Sequence, residues 1–134
     1  MNAIRYSEVT MSDLEQRATE PNVYAAICPS REVLAMIGEK WVSLVVGALN
    51  DKTLRFGELK RVCEGVSQKM LTQTLRKLER DGLVARTSFS NEMVLRVEYQ
   101  LTPLGQSLVP VVNMVKAWAE ENLKQIEENR ELMK

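Results

Sequence analysis

Between Gly65 and Arg86 the chain reads GVSQKMLTQTLRKLERDGLVAR, with Leu71, Leu75 and Leu78 recurring at helical spacing. At about 100° per residue, Lys69, Gln73, Arg76 and Arg80 fall on the opposite side, with Thr72 beside them, and this set holds no acid. Ser67 is a good N-cap and Asp81-Gly82 a good stop, so the pattern predicts a helix over 67–81. After Gly82 the period changes to two: Leu83, Ala85, Thr87 and Phe89 alternate with Val84, Arg86 and Ser88. A second alternating run, Leu95, Val97, Tyr99 and Leu101, follows the short polar stretch SNEM, which predicts a β-hairpin over 83–101.

Upstream, CPSREVLAMIG predicts a helix opened by Pro29-Ser30, with Glu32 in its first turn and Gly38 at its C-cap. EKWVSLVVGALND predicts a second, largely buried helix whose apolar face is Trp41, Leu44, Val45, Ala48 and Leu49. TLRF reads as a short extended piece, and Gly57 to about Cys63 as a short helix. Thr102-Pro103 then opens a long helix over 103–127, Thr as N-cap and Pro at the first helical position. Its apolar set is too wide for a single stripe, so a second surface covers part of it, and Pro110 should kink it or divide it. Residues 1–22 read as an N-terminal arm or short helix, and 128–134 as a polar, solvated tail. A short helix, a tight turn, a polar-faced helix and a hairpin, all within 23–127, make a winged helix-turn-helix: mainly α with a small β-hairpin.

Composition narrows the chemistry. The chain has 134 residues, one domain's worth, and no apolar run approaches the roughly 18 needed to span a membrane. Its N-terminus carries acids throughout and lacks the apolar stretch of a signal peptide, so a cytoplasmic location is expected. With two cysteines and no histidine, a four-ligand Cys/His zinc site and His-assisted nucleophilic catalysis are both out of reach. There is no glycine-rich phosphate loop. No metal, no cofactor and no enzymatic activity are expected. Formal net charge is zero, but residues 51–100 hold ten Lys/Arg against seven Asp/Glu, between two slightly acidic flanks. That asymmetry fits a module facing nucleic acid.

Several ordered blocks also resemble the HxlR-type family of bacterial winged-helix transcription regulators. They are Cys28-Pro29, the Gly-x-Lys-Trp at 38–41, the Arg-Phe-x-Glu-Leu at 55–59, the Val-Ser-x-Lys-x-Leu at 66–71 and the Arg-Val-Glu-Tyr-x-Leu-Thr at 96–102. The likeness runs from Cys28 to about Trp118, roughly two-thirds of the chain. It implies a homodimer paired through N- and C-terminal helices, placing two recognition helices and two wings on a palindromic double-stranded DNA operator. Two departures stand out. The family's wing is often proline-rich before Arg-Val-Glu-Tyr, where this chain has SNEMVL, and the extension before Cys28 is longer than usual.

Candidate DNA contacts follow from side-chain chemistry. Gln and Arg pair bidentately with adenine and guanine edges, and Thr can touch a thymine methyl. Because the N-terminal half of a recognition helix reaches the bases, Gln68, Lys69, Thr72, Gln73 and Arg76 are the expected readers, with Ser67 capping and near phosphate. Arg80 and Lys77 should meet phosphate or water. In the hairpin, Arg86 and Arg96 suit the minor groove or a phosphate, although Arg96 equally suits an ion pair with Glu98 or Glu92. Asn91 either contacts backbone or makes the turn, and Arg55 is a candidate phosphate anchor. Cys28, at a helix start where N–H groups and the dipole favour thiolate, is a candidate redox or electrophile sensor; the alternative is a small packing residue. Some members of the resembled family sense electrophiles through a matching cysteine. Cys63 is expected to pack. Trp41, Trp118, Tyr24 and Tyr99 either pack in cores and interfaces or line a pocket for a small-molecule effector. The rival reading is a winged helix that binds only protein, without DNA.

Overall fold

A computed structural model describes residues 20–91 and 93–134. The arm expected over 1–22 therefore lies mostly outside the described residues. The chain forms two compact units, Met1–Glu39 and Lys40–Lys134.

In the first unit, helix α1 (Ser30–Ile37) ends on Gly38, whose N–H reaches the carbonyls of Leu34 and Met36. The segment before it folds back through Arg31, whose Nε donates to the Val23 carbonyl at 3.0 Å and Nη2 to that of Tyr24 at 3.2 Å.

The second unit opens with α2 (Lys40–Ala48), which presents Val42, Val45 and Val46, together with Leu49, to the core, all fully buried. That face is rotated from the expected one: Trp41, Leu44 and Ala48 are only half-buried. Apolar residues surround this helix, so periodicity alone could not fix its orientation. Trp41 sits at the rim, with the Lys40 ammonium 4.5 Å from its ring centroid. Asp51, in the left-handed conformation with φ 54°, ends the helical path; aspartate tolerates this region better than most residues. Leu54 then exchanges both backbone hydrogen bonds with Tyr99, at 2.9 and 2.8 Å, so the expected extended piece is a single bridge on the hairpin's edge.

Helix α3 (Phe56–Val62) and the turn at Gly65, φ +91°, lead to α4 (Gln68–Arg80). Leu71, Leu75 and Leu78 are buried as the stripe predicts, joined by Thr74, whose hydroxyl is satisfied by the Met70 carbonyl at 2.8 Å. Gly82, φ +77°, turns the chain into β1 (Val84–Ser90), which pairs antiparallel with β2 (Leu95–Leu101) from Val84↔Leu101 to Ser90↔Leu95. The hairpin's base is buried through Leu83 and Val84, and its outer part projects into solvent.

Helix α5 (Pro103–Leu132) is one uninterrupted element of 30 residues, about 45 Å long. Pro110 does not divide it. The residue is exposed, and the Gln106 carbonyl that it leaves without a helical donor lies on the same side of the helix, where water can serve it. The helix also continues through most of the segment expected as a polar tail. Residues 121–132 contain neither Gly nor Pro, and bonds such as Gln125 Nε2 to Asn129 Oδ1, 3.3 Å, support the turns. α5 packs on α2, α2 on α4, and α4 on β1, with Val109 and Val112 completing the core. The architecture is a winged helix-turn-helix, mainly α with one small hairpin.

Candidate nucleic-acid interface

Burial of the leucine stripe fixes which side of α4 meets solvent. Ser67 accepts a hydrogen bond from the Met70 N–H at 3.0 Å, satisfying one of the donors a helix start leaves open. Gln68, Lys69, Gln73 and Arg76 are all exposed, and among the described residues neither Lys69 nor Arg76 has a carboxylate within ion-pair distance. Their donors and acceptors are free for a ligand. Thr72 differs: it is half-buried, and its hydroxyl donates to the Gln68 carbonyl at 2.8 Å. Its methyl, rather than its hydroxyl proton, is what it has left to offer. Arg80 leans back on Asp81 at 3.2 Å, an exposed pair of small energetic weight.

The acid-free character of this surface ends on one flank. Glu79 lines a cleft between α4 and the hairpin together with Phe56, Thr72, Arg76, Arg86 and Tyr99. Extending the helical wheel to residue 79 places this carboxylate close to Thr72, so the signal was present in the sequence but sat outside the basic set. Tyr99, one of the candidate pocket aromatics, does line this cleft, whereas Tyr24 and Trp118 are 87% and 61% exposed. Phe56, the first residue of α3, carried no signal of a site beyond its place in the Arg-Phe-x-Glu-Leu block.

The hairpin distributes its candidates unequally. The pairing puts Arg86 opposite Tyr99 on the cleft-facing side. Its Nη1 donates to Ser88 Oγ at 3.1 Å. Arg96 pairs with Phe89 on the other face, its guanidinium 4.6 Å from that ring's centroid and its Nε 3.2 Å from Glu98 Oε1. Glu98 is its neighbour along the same strand; Glu92, the other suggested partner, lies outside the described residues. The structure therefore brings Arg76 and Arg86 to one cleft and leaves Arg96 outside it. Asn91 makes the turn: its Oδ1 accepts from the Met93 and Val94 N–H groups at 3.4 and 3.1 Å. Arg55 is exposed ahead of α3, its backbone N–H held by Glu58 Oε1 at 3.0 Å.

In the first unit, Cys28 is 5% exposed and closely hydrogen-bonded. Its Sγ lies 3.1 Å from Ser30 Oγ and accepts from the Asn22 N–H at 3.2 Å. The Ser30 hydroxyl first, then the Asn22 and Ser30 backbone groups, hold its pKa below the usual thiol value by stabilising the thiolate. Cys63 is equally buried but lacks such partners, and desolvation pushes its thiol up. Among the described residues no cluster of His, Cys, Asp and Glu could hold a metal ion, and no helix is long and apolar enough to cross a membrane.

The HxlR-like helix-turn-helix profile matches residues 36–127. The "Uncharacterized HTH-type transcriptional regulator YtfH" of Escherichia coli (strain K12) is 42% identical over 113 residues, covering 84% of this chain and 89% of that protein. The solved structure of the regulator ytfH from Salmonella typhimurium superposes with a TM-score of 0.76 at 45% identity, covering 84% of this chain and 99% of the other. The redox regulator HypR in its reduced form has a TM-score of 0.67 at 38% identity, over 75% of this chain and 98% of its own.

Proposed function

The chain belongs to the HxlR-like helix-turn-helix family, and on that premise we propose that it is a sequence-specific, DNA-binding transcription regulator working as a cytoplasmic homodimer. The observation that carries this reading is the exposed, unpaired set Gln68, Lys69, Gln73 and Arg76 along the first two and a half turns of a capped, core-anchored helix. Inserted in the major groove, Gln73 and Arg76 read base edges, Thr72 offers its methyl to thymine, and Ser67, Lys69 and Arg55 hold phosphates. Arg86 meets the backbone strand passing between helix and hairpin. Arg96 is a secondary contact, since it must first leave Glu98.

The second subunit is supported by α5. Leu104, Val111, Met114, Val115 and Trp118 are between 45% and 74% exposed, an apolar surface that a single copy leaves wet. Pairing through it sets two α4 helices on half-sites about one DNA turn apart. Cys28 supplies the regulatory input. Its thiolate-favouring environment, and the likeness to a protein named as a redox regulator, support response to oxidants or electrophiles.

The test is an anisotropy titration on the DNA upstream of the chain's own gene, at several salt concentrations, with and without diamide. Affinity should fall steeply with salt, and Gln73→Ala with Arg76→Ala should each cost about 1–3 kcal/mol on the cognate site and little on random DNA. Diamide should change the affinity of the parent chain and not of Cys28→Ser. Equal binding to every sequence refutes specific recognition. No binding even at low salt favours the rival, a winged helix that meets only protein.

A further inference from the structure

The outer end of the hairpin is apolar where a solvated turn has no use for apolar groups. Met93 is 91% exposed, Leu95 67%, Val94 60% and Phe89 43%. None of these side chains contributes to the core, and the Asn91 side chain fixes the turn that presents Met93 and Val94. The hairpin carries seven paired positions outward from its buried base, a reach of about 20 Å. Its arginines lie further back, Arg86 on the cleft side and Arg96 across the Phe89 ring, while the sequence sets one acid, Glu92, directly before Met93.

We propose that Met93, Val94 and Leu95 form an apolar wedge that enters the minor groove and unstacks a base step beside each bound subunit, kinking the duplex. This rests on the DNA-binding reading above. The occupant follows from continuity: the tip extends the surface formed by α4 and Arg86, so a duplex seated on α4 with its backbone at Arg86 offers its next groove to the tip. Apolar groups gain nothing beside the hydrated phosphates that flank that groove, whereas the base step between them offers apolar stacking surface. Met, Leu and Phe are the side chains that architectural proteins drive between base pairs, at a cost in stacking that is offset by contact with bent DNA. Arg86 and Arg96 behind the tip hold the flanking phosphates. A flexible pyrimidine–purine step is the target chemistry, because it unstacks most cheaply. The wedge thereby adds a sequence preference outside the bases that α4 touches.

The experiment uses the full chain and a duplex enriched by it from a random pool. 2-Aminopurine placed at successive steps reports unstacking, and energy transfer between end labels reports the bend. The parent chain should raise fluorescence at one step per bound subunit and shorten the end-to-end distance. Met93→Ser with Val94→Ser should lose both signals while keeping the base preference set by Gln73 and Arg76. Arg86→Ala should weaken binding and reduce its salt dependence, yet unstack the same step once saturated. An unperturbed step in the parent complex, or equal unstacking by the serine variant, overturns the wedge and leaves specific binding standing. Failure of the pool to enrich overturns both.

Discussion

Gly105 sits at the third position of α5, where that helix passes the base of the wing. A Cβ built there would overlap the Leu83 carbonyl oxygen and lie 3.0 Å from its carbon and 3.1 Å from Leu101 Cδ2. The obstacle is backbone, which cannot swing aside as a side-chain end can. The same carbonyl accepts the Thr102 N–H at 3.0 Å, so moving it breaks a bond at the helix start. Overpacking costs about 1–3 kcal/mol and the lost buried hydrogen bond about 1–3 more. Alanine's better helix propensity returns at most about 1 kcal/mol. Gly105→Ala should therefore lose about 1–5 kcal/mol, a fall in Tm of roughly 4–18 °C for a chain of this size. Gly57→Ala is the control, because nothing lies within 4 Å of a Cβ there; it should be neutral or gain up to about 1 kcal/mol. Urea unfolding at one fixed protein concentration reads both, through a midpoint shift at constant m. If Gly105→Ala is as stable as the parent, the close contact between α5 and the wing base is wrong.

Removing the α4 cap with Ser67→Ala should cost about 1 kcal/mol in the same assay, with the loss localised by hydrogen exchange to the first turn of that helix. Both thiols are buried, so native alkylation by iodoacetamide should be slow at each and faster at Cys28, whose thiolate is stabilised, than at Cys63. The pH profile of the Cys28 rate should have its midpoint below the ordinary thiol value, and Ser30→Ala should move it up, since the Ser30 hydroxyl is the leading cause of the depression. The same shift has a stability consequence of fixed sign. A depressed folded-state thiol pKa contributes stability that is full above the unfolded thiol value and lost as pH falls through the folded one. The Cys28→Ser variant should therefore close its stability gap to the parent on acidification.

Where local rules and tertiary packing agree, the sequence was enough. Ser67 and Thr102 cap their helices because each hydroxyl reaches an open N–H three residues on, at 3.0 and 3.1 Å. Leu71, Leu75 and Leu78 are buried because no other side of that helix is apolar. The family likeness rested on the same blocks. Legibility failed where pattern was degenerate or partners were distant in sequence. α2 is apolar nearly all round, so its face was set by α5 and α4 rather than by its own period. The Thr72 hydroxyl turned to its own helix, and Arg96 to Glu98 and Phe89, choices that composition does not express. Glu79 entered the interface only once the hairpin had folded against α4.

The turn after α4 ties the functional parts together mechanically. Thr102 Oγ1 donates to the Gly82 carbonyl at 2.6 Å and accepts from the Gly105 N–H at 3.1 Å, while the Thr102 N–H holds Leu83. Gly82 ends the recognition helix, Leu83 begins the wing, and Gly105 lies in the first turn of α5, so three elements share one knot of hydrogen bonds. Further along, Gln106 Nε2 donates to Asn50 Oδ1 at 2.7 Å, fastening α5 to the end of α2. Because α5 also bears the apolar surface proposed to pair two subunits, a rotation of that pairing cannot be absorbed at the wing base. In a dimer paired this way it would carry α4 with it and change the separation of the two copies of that helix. On the proposed dimer, an input acting on that contact would alter affinity without touching a proposed DNA-facing side chain, provided it favours one separation over the other. The close approach at Gly105 is what makes that link stiff. A residue larger than glycine there should loosen the coupling as well as the fold.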